Sequence, residues 1–178
     1  MTRSTISITT TKEDHQIAKL TALAIGLHIL EALFPSPLPG VKPGIANIIT
    51  LYVLIQYGLG TAAWVSLLRV FASSLLIGQF LSPTFLLSLA GALLSLCVLF
   101  FAQHLPKKYF SVITLSILAA LAHITGQILV VRIWLIPHTG VAYLVPIFVV
   151  AALFFGVLNG LICLKLIAGK EEIQKKSG

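Results

Sequence analysis

A small set of polar side chains stands inside stretches that are otherwise apolar: His28 and Glu31, Asn47, Arg69 and Gln79, His123, Gln127 and Arg132, and Asn159. A charged group at the centre of a bilayer costs about 2.5–3.5 kcal/mol even on the lenient insertion scale, so each one needs a partner or a purpose. His28 and Glu31 are three residues apart, and His123 and Gln127 four apart, so each pair shares one helix face and can point into one interior space. The chemistry such a set can do is recognition. Lys42, Arg69 and Arg132 outnumber the single acid Glu31, which leaves positive charge for an anionic carboxylate or phosphate to balance. In this reading Arg69, Lys42 and Arg132 supply charge, while Glu31, His123 and Gln127 orient the ligand. Asn47 stands with them, although an amide there serves equally as a bridge between helices. The alternative for the whole set is structural: interhelical hydrogen bonds and an Arg69–Glu31 pair that hold a bundle together. Gly156, Asn159 and Gly160 read as a close helix contact with an amide bridge, and Trp64, Tyr109, Trp134 and Tyr143 as belt or core aromatics.

Catalytic patterns are missing. The chain contains no paired-aspartate motif, no phosphate-binding glycine loop and no zinc-ligand spacing. Its one aspartate, Asp14, lies near the start, which nearly excludes a magnesium site built from carboxylates. Cys97 and Cys163 lie in apolar runs without ligand spacing and read as buried free thiols. Neither a metal nor a cofactor is expected.

The elements that must position these residues follow from composition. Of 178 residues, 58% are hydrophobic and only 10% charged, with a mean hydropathy of +1.03. A soluble domain uses about 25% charged residues to face water, so most of this surface must face lipid. Apolar runs over residues 17–34, 45–57, 59–78, 83–103, 110–136 and 141–168 predict an all-α integral membrane protein with six transmembrane helices. Residues 1–16 and 169–178 read as tails. The run at 45–57 is short for a crossing. Residues 35–44 hold Pro35, Pro37, Pro39 and Pro43 with Gly40 and Gly44, and so form an irregular loop packed over or into the bundle. The sixth run is long enough to tilt or to kink near Pro146 and Gly156.

The net charge of +7 lies mostly in the two tails and one internal loop. Six spans with both termini cytoplasmic put Arg3, Lys12, Lys19, Lys107, Lys108, Lys165, Lys170, Lys175 and Lys176 on one side, as the positive-inside rule requires. The same charge has no aromatic interleaving, which argues against nucleic acid as a partner. With that topology Glu31, Lys42, Gln79, Gln127 and Arg132 fall in the outer half, with Arg69 and His123 near the middle. The lipid bilayer and a small anionic ligand are the partners expected.

Residues 30–51, LEALFPSPLPGVKPGIANIITL, resemble the heptaprenyl diphosphate synthase component I family, also called the Gx transporter family. The residues that carry the resemblance are Glu31, Pro39, Gly40, Val41, Lys42, Gly44, Ala46 and Asn47, with Pro43 where a leucine is expected. More loosely, it continues through Arg69 and the fifth and sixth runs. It implies a bacterial inner-membrane protein related to the six-helix substrate-binding subunits of energy-coupling-factor transporters, with an outward-facing pocket for a ligand of the vitamin, flavin or prenyl phosphate class. Ala18 and Ala22 match the small-residue spacing by which such subunits dock on an energising partner. The family label also implies a non-catalytic membrane partner of a prenyl diphosphate synthase, and the resemblance extends to flavin or quinone electron-transfer systems.

Overall fold

A computed structural model of the chain describes residues 10–33, 44–104, 111–135 and 139–177. Among them it is all-helical, without strands: α1 (Lys12–Leu33), α2 (Ala46–Tyr57), α3 (Leu59–Ile77), α4 (Pro83–Ala102), α5 (Val112–Val130) and α6 (Val145–Ser177). A π-helical turn, Val131–Leu135, closes α5, and a 3-10 helix, Thr139–Leu144, leads into α6. Four segments are long and apolar enough to cross a membrane: Leu59–Ile77, Pro83–Ala102, Val112–Trp134 and Ala142–Ile173. Their outward faces carry side chains that water would drive inside, such as Leu76 at 72% exposed and Phe154 at 64%. A bilayer makes those faces acceptable, and the chain is a membrane protein.

The helix ends differ from the sequence reading in instructive ways. α1 begins at Lys12, five residues before the apolar run, because Thr11 and Asp14 form a reciprocal cap. Asp14 N donates to Thr11 Oγ1 at 3.1 Å, and Thr11 N donates to Asp14 Oδ2 at 2.8 Å. Those bonds hold the Asp14 carboxyl below its ordinary value. α6 continues through Ser177 instead of ending near residue 168, helped by a Glu172–Lys176 pair one turn apart at 2.7 Å. Pro146 produces no break. It is the second residue of α6, where its missing N–H is an orphan anyway. The loop expected at residues 35–44 lies outside the described residues except for Gly44.

Polar contacts gather the start of α1, the end of α2 and the late part of α6 at one end of the bundle. Tyr57 Oη donates to Gln16 Oε1 at 2.8 Å, and Lys170 Nζ donates to Gln56 Oε1 at 2.8 Å. The same ammonium sits 5.5 Å from the ring centre of Tyr57. From there α2 runs for 12 residues, about 18 Å, against a hydrocarbon core of about 30 Å. Its beginning therefore lies deep in the bundle.

Small residues let the other helices come close. α4 packs along α5, and α5 along α6. A Cβ added at Gly126 of α5 would stand 2.6 Å from the Ala90 carbonyl oxygen of α4, and one at Gly156 of α6 would stand 2.9 Å from Ile117 Cα of α5. These are backbone contacts, which cannot yield by a rotamer change. Gly126→Ala should therefore lower stability by about 1–3 kcal/mol, read as a lower midpoint of thermal unfolding in detergent. Gly26→Ala, with nothing within 4 Å of the added carbon, should leave it unchanged or slightly raised. Equal midpoints for Gly126→Ala and the parent would refute the α4–α5 packing.

Candidate functional site

The buried start of α2 organises the site. Ile45, the residue that should cap this helix, offers no side-chain acceptor. Glu31 of α1 supplies one instead: its Oε1 accepts from the backbone N–H of Ile45 and, at 3.4 Å, from that of Ala46. The carboxylate thus meets both the orphan donors and the positive end of the helix dipole, which is where the backbone favours negative charge. His28, one turn earlier on α1, brings Nδ1 to 3.8 Å from Glu31 Oε2.

Gly44 precedes α2 with a φ of +66°, a conformation that glycine adopts without penalty. A Cβ there would also stand 2.9 Å from Asn47 Nδ2. Its carbonyl oxygen accepts from Asn159 Nδ2 of α6 at 3.1 Å. On the other side of α2, Asn47 Oδ1 accepts from Arg69 Nη2 of α3 at 3.0 Å. Arg69 is only 2% exposed, and its Nε–H has no hydrogen-bond partner among the described residues. Glu31 attracts the guanidinium through space without forming the direct pair considered from the sequence.

These groups line a hollow of about 40 Å³, room for about three water molecules. α5 adds His123 and Gln127, whose Nε2 atoms lie 3.1 Å apart, and α4 adds Ser88. The His123 ring is seated against Gly91 of α4, where an added Cβ would come within 2.7 Å of it. Ala120, Ala151, Ala152 and Phe155 complete an apolar wall. Such a space accepts a polar head group or a few waters, and is far below the several hundred Å³ that bury a whole cofactor-sized ligand.

Of the residues singled out from the sequence, Glu31, Asn47, Arg69, His123 and Gln127 meet around this hollow. His28 and Asn159, from the same polar set, join them. Asn159 sits between two glycines that contact α5, and its amide bridges α6 to Gly44 at the start of α2 while facing the hollow. Arg132 is not among the lining residues. It is exposed in the π-helical turn, five residues past Gln127 and so about 140° round the helix from it. Lys42 lies outside the described residues. The described lining therefore carries one arginine against one glutamate, not the excess of cations expected from the sequence. Ser88 was missed, since a serine in an apolar run carries no distinguishing signal. Ala18 and Ala22 are both exposed on α1.

The model of one protein family, described as heptaprenyl diphosphate synthase component I, matches residues 20–166, which include every described residue of the hollow. No curated protein and no solved structure matches the chain. The family's description names a component of a synthase, and the long apolar helices make this component a membrane one. The chain belongs to the heptaprenyl diphosphate synthase component I family.

Proposed function

We propose that the chain is a multi-pass subunit of the bacterial cytoplasmic membrane that binds the anionic end of a small ligand in the hollow lined by residues of α1 to α6. The observation that carries this reading is Arg69. A guanidinium buried in an apolar bundle, with one N–H that lacks an acceptor among the described residues and stands beside a hollow, is costly unless an acceptor occupies that space. The nearby carboxylate of Glu31 is engaged by the start of α2, so it does not complete the coordination of Arg69. A carboxylate or phosphate oxygen does, and the adjacent dipole of α2 favours the same sign of charge.

The depth of the site fits entry from the face opposite the chain ends. Asn47 lies ten residues, about 15 Å, from Tyr57, which marks the end where α1 begins and α6 finishes. That arrangement supports six crossings with both termini cytoplasmic and is compatible with the substrate-binding subunits of energy-coupling-factor transporters. The exposed Ala18 and Ala22 then face an energising partner. Vitamins, flavins and prenyl phosphates are the classes to test. One of them should raise the unfolding midpoint of the purified protein, with about 2.7 kcal/mol gained at a hundred-fold excess over Kd. Arg69→Gln should abolish the gain. A panel without any shift, or a shift that survives Arg69→Gln, would refute the reading.

The family's description favours a second reading, a non-catalytic membrane partner of a prenyl diphosphate synthase. Prenyl transfer needs carboxylate-bound magnesium to pull off diphosphate, and a chain with the single aspartate Asp14 is poorly equipped to provide it. In this reading the basic positions on the side of the termini matter more than the hollow. Reversing Lys107, Lys108, Lys175 and Lys176 to glutamate should then abolish co-purification with a soluble synthase subunit, while Arg69→Gln leaves it intact. The opposite pattern, or no co-purification with the unaltered chain, would sink the partner reading.

A further inference from the structure

A second, smaller hollow of about 10 Å³ lies between α1, α3 and α4. It shares His28 and Ser88 with the first. Its other polar members are Ser73 and Ser74 of α3, Gln79 in the turn after α3, and Thr84 in the first turn of α4. Ala32, Val70, Ile77 and Phe85 complete the lining, so six of its ten residues are polar. The seam has a direction. Gln79 and Thr84 mark the end of the bundle away from the chain termini, and Arg69 lies ten residues, about 15 Å, along α3 from Gln79.

The hydroxyls along it are suited to water. Ser73 Oγ donates to Arg69 O at 2.6 Å, and Ser74 Oγ donates to Phe71 O at 2.8 Å. Each hydrogen is thus given to its own helix, which leaves the oxygen lone pairs to accept from a guest. The smaller hollow is the size of about one water, and the larger holds about three.

We infer that the seam between α1, α3 and α4 is a water-filled conduit by which water, protons and small monovalent cations reach the hollow from the end opposite the termini, with His28 and Ser88 at the junction. Among the described residues, the titratable and charged groups facing that junction are Glu31 from α1, Arg69 from α3 and His123 from α5, while α2, α4 and α6 bring the uncharged polar groups Asn47, Ser88 and Asn159. His28 is therefore the group a proton arriving by the seam meets beside the Glu31 carboxylate. A bound anion can then be accompanied by a proton without either crossing apolar wall.

This deepens the reading of the hollow as a binding site, on which its purpose rests, but the conduit can be tested without any ligand. The probe is the silver ion, a thiol-reactive cation about as small as water, acting on single cysteines in a Cys97→Ala, Cys163→Ala background reconstituted in nanodiscs. Protection from maleimide after denaturation reports the reaction. Ser88→Cys and Ser73→Cys should react at least about ten-fold faster than Leu93→Cys on the lipid-facing side of α4, because thiolate forms only where water reaches. Thr84→Phe, which plugs the distal end of the seam, should slow Ser88→Cys by about ten-fold; unfolding midpoints verify that each variant is folded. Reaction at Ser88→Cys no faster than at Leu93→Cys would overturn the inference, as would a fast reaction that the plug leaves unchanged. Either result leaves the ligand reading to its own thermal test.

Discussion

The guanidinium of Arg69 sits where an apolar bundle is least able to hold it, and most of the polar architecture is arranged around that cost. A buried cation stripped of water needs hydrogen-bond acceptors and a counter-charge, since either alone leaves a deficit of several kcal/mol. Asn47 provides the acceptor at 3.0 Å, and Glu31 provides the counter-charge from a neighbouring helix. Neither could do so if α2 were an ordinary full-length span beginning at the membrane surface. Because α2 starts deep, its first residues bring Asn47 to Arg69 and its free N–H groups to Glu31 in one short stretch of chain.

That dependence explains the glycine and the asparagine that flank the same point. Gly44 lets the backbone turn with a positive φ, leaves room for Asn47, and offers its carbonyl to Asn159. A side chain at position 44 would strike Asn47, the residue that satisfies Arg69. The interaction between α3 and α2 is thus coupled to the interaction between α2 and α6 through one residue without a Cβ. Farther out, Gly91 and Gly126 hold α4 and α5 close enough to seat His123 against the backbone, which fixes the opposite wall. Rigid walls on one side and a capped half-length helix on the other make a hollow that persists instead of collapsing.

Much of this was legible in the sequence because lipid simplifies the rules. With few charged residues and long apolar runs, helix positions follow from hydropathy, and the predicted limits of α2, α3 and α4 agree with the structure to within about a residue, as boundaries can. The polar residues that meet at the hollow were equally visible, since each is out of place in an apolar run. What composition could not convey is orientation round the helix. Arg132 shares α5's terminal region with Gln127 but points elsewhere, and a π-helical turn leaves no trace in a hydropathy pattern. Helix ends driven by local hydrogen bonds, such as the Thr11–Asp14 cap, likewise extend α1 beyond its apolar stretch. Asn159 was read by its glycine neighbours, which do describe its backbone, while its side chain answers to Gly44, 115 residues away in sequence.

The charge balance of the hollow bears on what such a site is for. From the sequence, three cations against one acid made an anion look necessary. In the structure the described lining holds one of each, so simple counting no longer decides. Geometry does. Glu31 gives Oε1 to the start of α2 and turns Oε2 toward His28, so its charge is shared with a helix dipole and an imidazole as well as with Arg69. Arg69 keeps an N–H that none of the described residues accepts. An acceptor brought into the hollow would meet that donor whatever the net charge of the lining.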